Sequence, residues 1–181
     1  MKSKQHSRKA LSAVILTIAI VFMFNSNVYA YSLFSGYYTF FSYDIPVAYQ
    51  HKGTRNDSSY INSAILRWNA VVNLTVYRDD DWGGARIGID SNDYGNTTWV
   101  GKCIWPIFLV CDWAYIKIND YHLTRGSYPV GDSINATLHE MGHAFGVDHS
   151  SNSSNLMYGS VNGTIVYPQQ DDKNGVNAVY P

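Results

Sequence analysis

Glutamate is nearly missing from this chain of 181 residues: thirteen of its fourteen acidic side chains are aspartate, and Glu140 is the one glutamate. Cysteine is almost as scarce, with only Cys103 and Cys111. Two thiols cannot close a four-cysteine structural zinc site or staple a small fold with several disulfides. A surplus of positive charge is also missing. Without its first 30 residues the chain carries nine basic against fourteen acidic side chains, a formal balance of −5. That argues against nucleic acid, whose phosphates require a basic patch. No apolar run reaches the roughly twenty residues that span a bilayer. The longest, residues 10–24, has fifteen, and neither an internal repeat nor a long linker is visible.

That apolar run follows a basic start with Lys2, Lys4, Arg8 and Lys9 and ends at the small-residue exit Val28-Tyr29-Ala30. These are the three parts of a secretory signal. Residues 1–30 are therefore expected to be a cleaved signal peptide, leaving residues 31–181 as one secreted, extracellular domain with no membrane association after cleavage. In an oxidising compartment a Cys103–Cys111 disulfide is the default for an even pair, with two buried free thiols as the alternative. Six Asn-x-Ser/Thr triplets, at Asn56, Asn73, Asn96, Asn135, Asn152 and Asn162, are read as products of an Asn- and Ser-rich composition rather than as glycan sites.

Alternation of apolar and polar residues predicts a strand over 39–49, followed by turn and capping residues over 53–59. Ile61, Ala64, Ile65, Trp68, Val71 and Val72 fall on one helical face, with Asp57 or Ser58 as N-cap. Short strands are expected over 74–78 and 85–90, then a pair over 97–102 and 113–119 joined by the loop that the cysteines would close. A second helix is expected over 133–145, capped by Asp132, with Ile134, Leu138 and Met141 facing the core. The aspartates at 79–81 and the run Asp90-Ser91-Asn92-Asp93 offer oxygen ligands that suit calcium, or else are solvated turns.

The stretch His139-Glu140-Met141-Gly142-His143-Ala144-Phe145-Gly146-Val147-Asp148-His149 carries the most information. Residues four apart share a helix face, so His139 and His143 can point at one ion, with Glu140 beside them and free of the metal. Gly146 can adopt the left-handed backbone that turns the chain and returns His149 to the same ion. Three imidazoles leave a fourth tetrahedral position for water, as in catalytic rather than structural zinc sites. At ordinary residue frequencies this pattern arises by chance on the order of once in a hundred thousand chains of this length. Asp148 is a rival third ligand.

With these residues, and with Asn155-Leu156-Met157-Tyr158 eight positions beyond His149, the chain resembles the metzincin clan of zinc endopeptidases, and within it the matrixin branch. The resemblance is firm from about Asp132 onward and includes the terminal run from Gln170 to Tyr180. It implies an α+β zincin fold: a twisted five-stranded mixed sheet, two long helices, and a C-terminal helix after a Met-turn. It implies one catalytic Zn2+ on His139, His143 and His149, Glu140 as general base, and Met157 as support for the Met-turn. Tyr158 and Gly159 would line the specificity pocket, Gly159 standing where matrixins usually have proline. Thr97, Thr98, Trp99, Val100 and Gly101 would form the edge strand that pairs with an extended substrate. It further implies that Asp171 meets the ammonium of a new N-terminus at Tyr31, while Asp172 supports the Met-turn. The function so implied is hydrolysis of protein or peptide substrates by a monomer. The rival is a zinc-binding adhesin or inhibitor on the same scaffold that has lost catalysis.

Overall fold

The computed structural model describes residues 31–34, 40–53, 55–105, 112–125 and 130–181. The expected signal peptide lies outside them. No helix among the described residues is long and apolar enough to cross a membrane.

The helix around Trp68 forms as its spacing predicts. Helix α1, Ser58–Asn69, buries Ile61, Ala64, Ile65 and Trp68 on one face. Asp57 occupies the N-cap position but makes no side-chain cap. Its carboxylate turns inward to Arg55 Nε at 2.7 Å, and its backbone carbonyl receives Tyr60 and Ile61 N–H instead. The long helix α3, Val130–Ala144, starts three residues earlier than expected, so Asp132 sits in its first turn rather than at its cap. A short helix α2, Asp120–Arg125, precedes it and was not expected. Trp68 joins the long helices, donating from Nε1 to the Leu138 carbonyl at 3.1 Å and packing edge-on against Phe145.

These helices cover one face of a mixed five-stranded sheet, as expected for an α+β chain. The strands are β2 (Asp44–His51), β3 (Thr75–Arg78), β4 (Ile87–Asn92), β5 (Gly101–Ile104) and β6 (Ala114–Asn119), in spatial order β3-β2-β4-β6-β5. All neighbours are parallel except β5, which runs antiparallel to β6 at the edge. Val47 and Tyr49, Ile87 and Ile89, and Ala114, Ile116 and Ile118 alternate onto the helix-covered face and are buried. A two-stranded ribbon pairs β1, Ser32–Leu33, with β7, Val147–Asp148. It holds the first described residues beside the segment that leads into His149. A terminal helix α4, Gln170–Val179, closes the fold with a capping box between Gln169 and Asp172.

The expected edge strand requires correction. Thr97, Thr98, Trp99 and Val100 are not in a strand, and ladder pairing begins at Gly101. Asn119, at the end of β6, donates from Nδ2 to the Gly95 carbonyl at 3.0 Å and to Thr97 Oγ1 at 2.9 Å. His122 of α2 bonds the Thr97 carbonyl at 2.7 Å. These side chains satisfy the backbone that a ladder would otherwise pair, and the segment becomes a loop. The other strands differ from expectation in their ends, β2 starting at Asp44 and β4 at Ile87.

Candidate metal centre

His139 and His143 stand one turn apart on α3, with ring centroids 4.7 Å apart and planes nearly perpendicular. The helix ends at Ala144, and Gly146 two residues on has a φ of 93°, in the left-handed region where a Cβ is costly. The chain then reverses through β7, and His149 arrives with its ring 5.2 Å from His139 and 4.8 Å from His143. One ligand atom from each of the three lies within 4.8 Å of the others, the one such group found among the described residues.

The tautomers follow from the partners. His139 Nδ1 meets the Leu156 carbonyl at 2.9 Å and His143 Nδ1 meets the Val147 carbonyl at 2.8 Å. A carbonyl only accepts, so each ring donates from Nδ1 and keeps its Nε2 lone pair free when neutral. Burial holds both rings neutral, lowering His139 to about 3 and His143 to about 4; the neighbouring imidazoles add to this and the carbonyl bonds oppose it. His143 Nε2 and His149 Nε2 are 3.2 Å apart. A tetrahedral zinc with Zn–N bonds of about 2.0–2.1 Å separates its ligand nitrogens by about 3.3–3.4 Å. The three-imidazole donor set therefore fits zinc, as does the spacing of this pair, and all three ligand atoms lie within 4.8 Å of one another. Asp148, the rival ligand, is engaged elsewhere, its Oδ1 accepting the His149 N–H at 2.7 Å.

Glu140 is buried next to the two helical histidines and faces β5, where Gly101 makes room for it. A Cβ on Gly101 would come within 2.6 Å of Glu140 Cγ and 2.7 Å of its Oε1. Burial pushes the carboxyl up to about 8, against a hydrogen bond from the Cys103 N–H that favours the charged form. A cation in front of the carboxylate would pull that value back down. Cys103 has no disulfide partner among the described residues, and its thiol is pushed up by burial and then by the nearby Glu140 charge. Its expected partner Cys111 lies outside the described residues.

Met157 is fully buried, and its thioether lies against Gly142, where any Cβ would overlap it. The turn is held from below by Asp172, buried in α4, whose oxygens accept the N–H of Leu156 and of Met157, each at 3.0 Å. Asp171 Oδ2 accepts Asn155 Nδ2 at 2.8 Å.

A cleft of about 440 Å³ passes over these groups, lined by Thr98 to Gly101 on one side and by Gly159, Ser160 and Val161 on the other. Gly159 thus lies where a pocket residue is expected, whereas Tyr158 is part-exposed and outside the lining. Thr97 is outside the lining. Asn135, one turn before His139, also lines the cleft and was not expected there. Its side chain receives the Asn162 N–H at 3.1 Å and donates to the Ile165 carbonyl at 2.7 Å, pinning the loop beyond Val161. Its burial at 2% exposure removes it as a glycan acceptor. Each aspartate considered for calcium has a local partner, Asp93 accepting the Gly95 N–H at 2.9 Å, while the buried Oδ1 of Asp90 has no hydrogen-bond partner. Asp79 and Asp81 cap their own turn, Asp80 pairs with Arg78, and Asp90 accepts the hydroxyls of Tyr94 and Tyr115.

Residues 119–181 match the family model described as Matrixin. A protein of Heliothis virescens ascovirus 3e, named as a matrix metalloproteinase, is 47% identical over 49 residues, covering 24% of this chain and 10% of that protein. Residues 119–181 contain His139, Glu140, His143 and His149.

Proposed function

From a chain that is matrixin-like over residues 119–181, we propose a secreted zinc-dependent endopeptidase, with residues 1–30 as its signal peptide and residues 31–181 as its catalytic domain. The observation that carries the reading is the convergence of three imidazoles on one point, with the chain's one glutamate buried beside them under an open cleft.

His139, His143 and His149 would hold the zinc, their orientation fixed for the first two by the Leu156 and Val147 carbonyls. Bound there, zinc supplies a Lewis acid that brings the pKa of water toward about 7 and polarises the scissile carbonyl. Glu140 takes the proton from the attacking water and passes it to the leaving amine. The charge of a bound metal would offset the rise that burial alone gives its carboxyl, leaving it ionised and able to accept that proton. The substrate lies extended between the loop of Thr98 to Val100 and the wall of Gly159 to Val161. From Gly101 onward the antiparallel edge strand β5 offers backbone groups for pairing that depends little on side-chain identity. The Asn155 to Tyr158 segment serves as the Met-turn, a floor that keeps His139 in place through the Leu156 carbonyl.

The test measures zinc stoichiometry and hydrolysis of a mixed peptide library on one purified sample, before chelation, after chelation, and after zinc is restored. The reading requires one zinc per chain and cleavage that disappears and returns with the metal. Stoichiometric zinc without cleavage of any peptide would leave a binding protein in its place.

A further inference from the structure

Of the five tryptophans, Trp68 is core, Trp105 packs on Phe40 and donates to the His143 carbonyl, and Trp99 lines the catalytic cleft. The remaining two, Trp82 and Trp113, are 39% and 50% exposed and face a common groove of about 550 Å³ remote from the histidines. Large exposed indoles gathered in one concavity mark a binding surface more often than a packing accident.

The groove is built on the sheet face turned away from the helices. Gly88 of β4 and Tyr115 of β6 are register partners there. The Trp82 indole rests on the backbone at Gly88, where a Cβ would come within 2.6 Å of its six-membered ring, and meets Tyr115 edge-on at 6.3 Å. Arg86 and Asp112 form an ion pair in the wall, with side chains 38% and 25% exposed. Arg86 also donates to the Asp112 carbonyl, and the other Asp112 oxygen accepts the Phe41 N–H.

We infer that this groove is a carbohydrate-binding site that seats a pyranose ring against Trp82 and Trp113, with its hydroxyls on Arg86 and Asp112. The negative face of an indole attracts the weakly positive C–H groups on the flat side of a sugar ring. The ion pair decides between occupants. An apolar side chain covering it would strip water from two charged groups and return nothing, a cost that hydroxyls avoid by donating to Asp112 and accepting from Arg86. The groove is also linked to the cleft. Tyr115 and Tyr94 share Asp90 Oδ2, and Tyr94 packs on Trp99 at 5.3 Å, so aromatic rings run from the groove to the cleft wall. A glycan-bearing substrate held at the groove would present its polypeptide to the zinc site. That consequence, unlike the sugar site itself, rests on the endopeptidase reading.

The experiment follows the five indole N–H signals of the ¹⁵N-labelled protein while N-acetylchitohexaose, cellohexaose and mannohexaose are titrated separately to millimolar concentration. Trp82→Ala and Trp113→Ala assign the two signals. At least one saccharide should move the Trp82 and Trp113 signals along a saturable curve. Trp113→Ala should weaken that binding at least tenfold, and Trp113→Tyr, which keeps a ring face, should restore most of it. Silence of both signals toward all three saccharides, or unchanged binding by Trp113→Ala, overturns the site. So does a response confined to an unglycosylated proline-rich peptide, which would make the groove a peptide-docking surface. Cleavage of a short unglycosylated peptide, run on the same samples, should be equal in wild type and Trp113→Ala. Its absence in both would count against the peptidase and leave the sugar site to stand on its titration.

Discussion

Gly101→Ala would ordinarily stabilise a strand, since glycine in a strand interior costs roughly 0.5–1 kcal/mol relative to alanine. Here the new methyl would fall 2.6 Å from Glu140 Cγ and 2.7 Å from Oε1. Because Cγ is involved, rotating only the carboxylate does not relieve the overlap. Glu140 is 7% exposed, so it cannot swing into solvent. It must leave its rotamer, at about 0.5–1.5 kcal/mol, and release the Cys103 N–H, a bond to a charged group worth about 1.5–3 kcal/mol. Subtracting the backbone gain leaves a net loss of about 1–4 kcal/mol in fold stability. The same displacement takes the general base out of position. If about 1.4–2.7 kcal/mol of its transition-state contribution is lost, kcat falls about 10- to 100-fold. The three atoms nearest the new methyl all belong to Glu140 and none to a histidine, so zinc should stay. The assay combines kcat on a fluorogenic peptide, zinc by mass spectrometry of the native protein, and thermal unfolding. A variant with wild-type kcat would refute the reasoning. So would one whose activity falls only in proportion to lost zinc, because the damage would then have passed through the ligands.

The metal site was legible because its determinants are local. A four-residue spacing on a helix and a glycine that accepts a φ of 93° place three rings together with little help from the rest of the chain. The sheet and the long helices were legible for a similar reason: Ile87 and Ile89, or Ile61 and Trp68, announce their period wherever they fold. The loop of Thr97 to Val100 was not. Its residues are β-branched or aromatic, as a strand favours, and what overrides them is an amide from Asn119, 22 residues later, that bonds Thr97 Oγ1. Asp57 shows the same limit in reverse. As a residue before a helix it reads as a cap, but the half-buried Arg55 nearby claims its carboxylate. Asn135 read only as part of an incidental Asn-x-Thr triplet, and its role in fastening the cleft wall depends on Asn162 and Ile165, which only the folded chain brings near.

Glu140→Gln should retain zinc while peptide hydrolysis drops at least about a hundredfold, since general-base assistance is worth ~10² to 10⁴; near-normal turnover on zinc-loaded protein contradicts the mechanism. Gly142→Ala gains about 0.8–1.0 kcal/mol of helix propensity. Its Cβ, however, would overlap Met157 Sδ and press on Trp68 at 3.3 Å. Overpacking of this kind costs about 1–3 kcal/mol, so the variant should melt lower and bind zinc more weakly, and a raised melting temperature would show that the floor under the histidines is soft. The final prediction concerns Asp57, 1% exposed and held near Arg55 and Asp120. Burial, with the Asp120 charge in support and Arg55 opposing, raises its pKa from 3.8 to about 6. The folded state then binds this proton more tightly than the unfolded chain. The stabilisation from that proton is full below about 3.8 and lost as pH rises through about 6, a change of about 3 kcal/mol. Asp57→Asn removes the titration, so wild-type stability relative to the variant should decline between pH 4 and 6 in urea unfolding curves. Parallel pH profiles would mean that Arg55 neutralises the carboxylate outright, and the raised pKa would have to be abandoned.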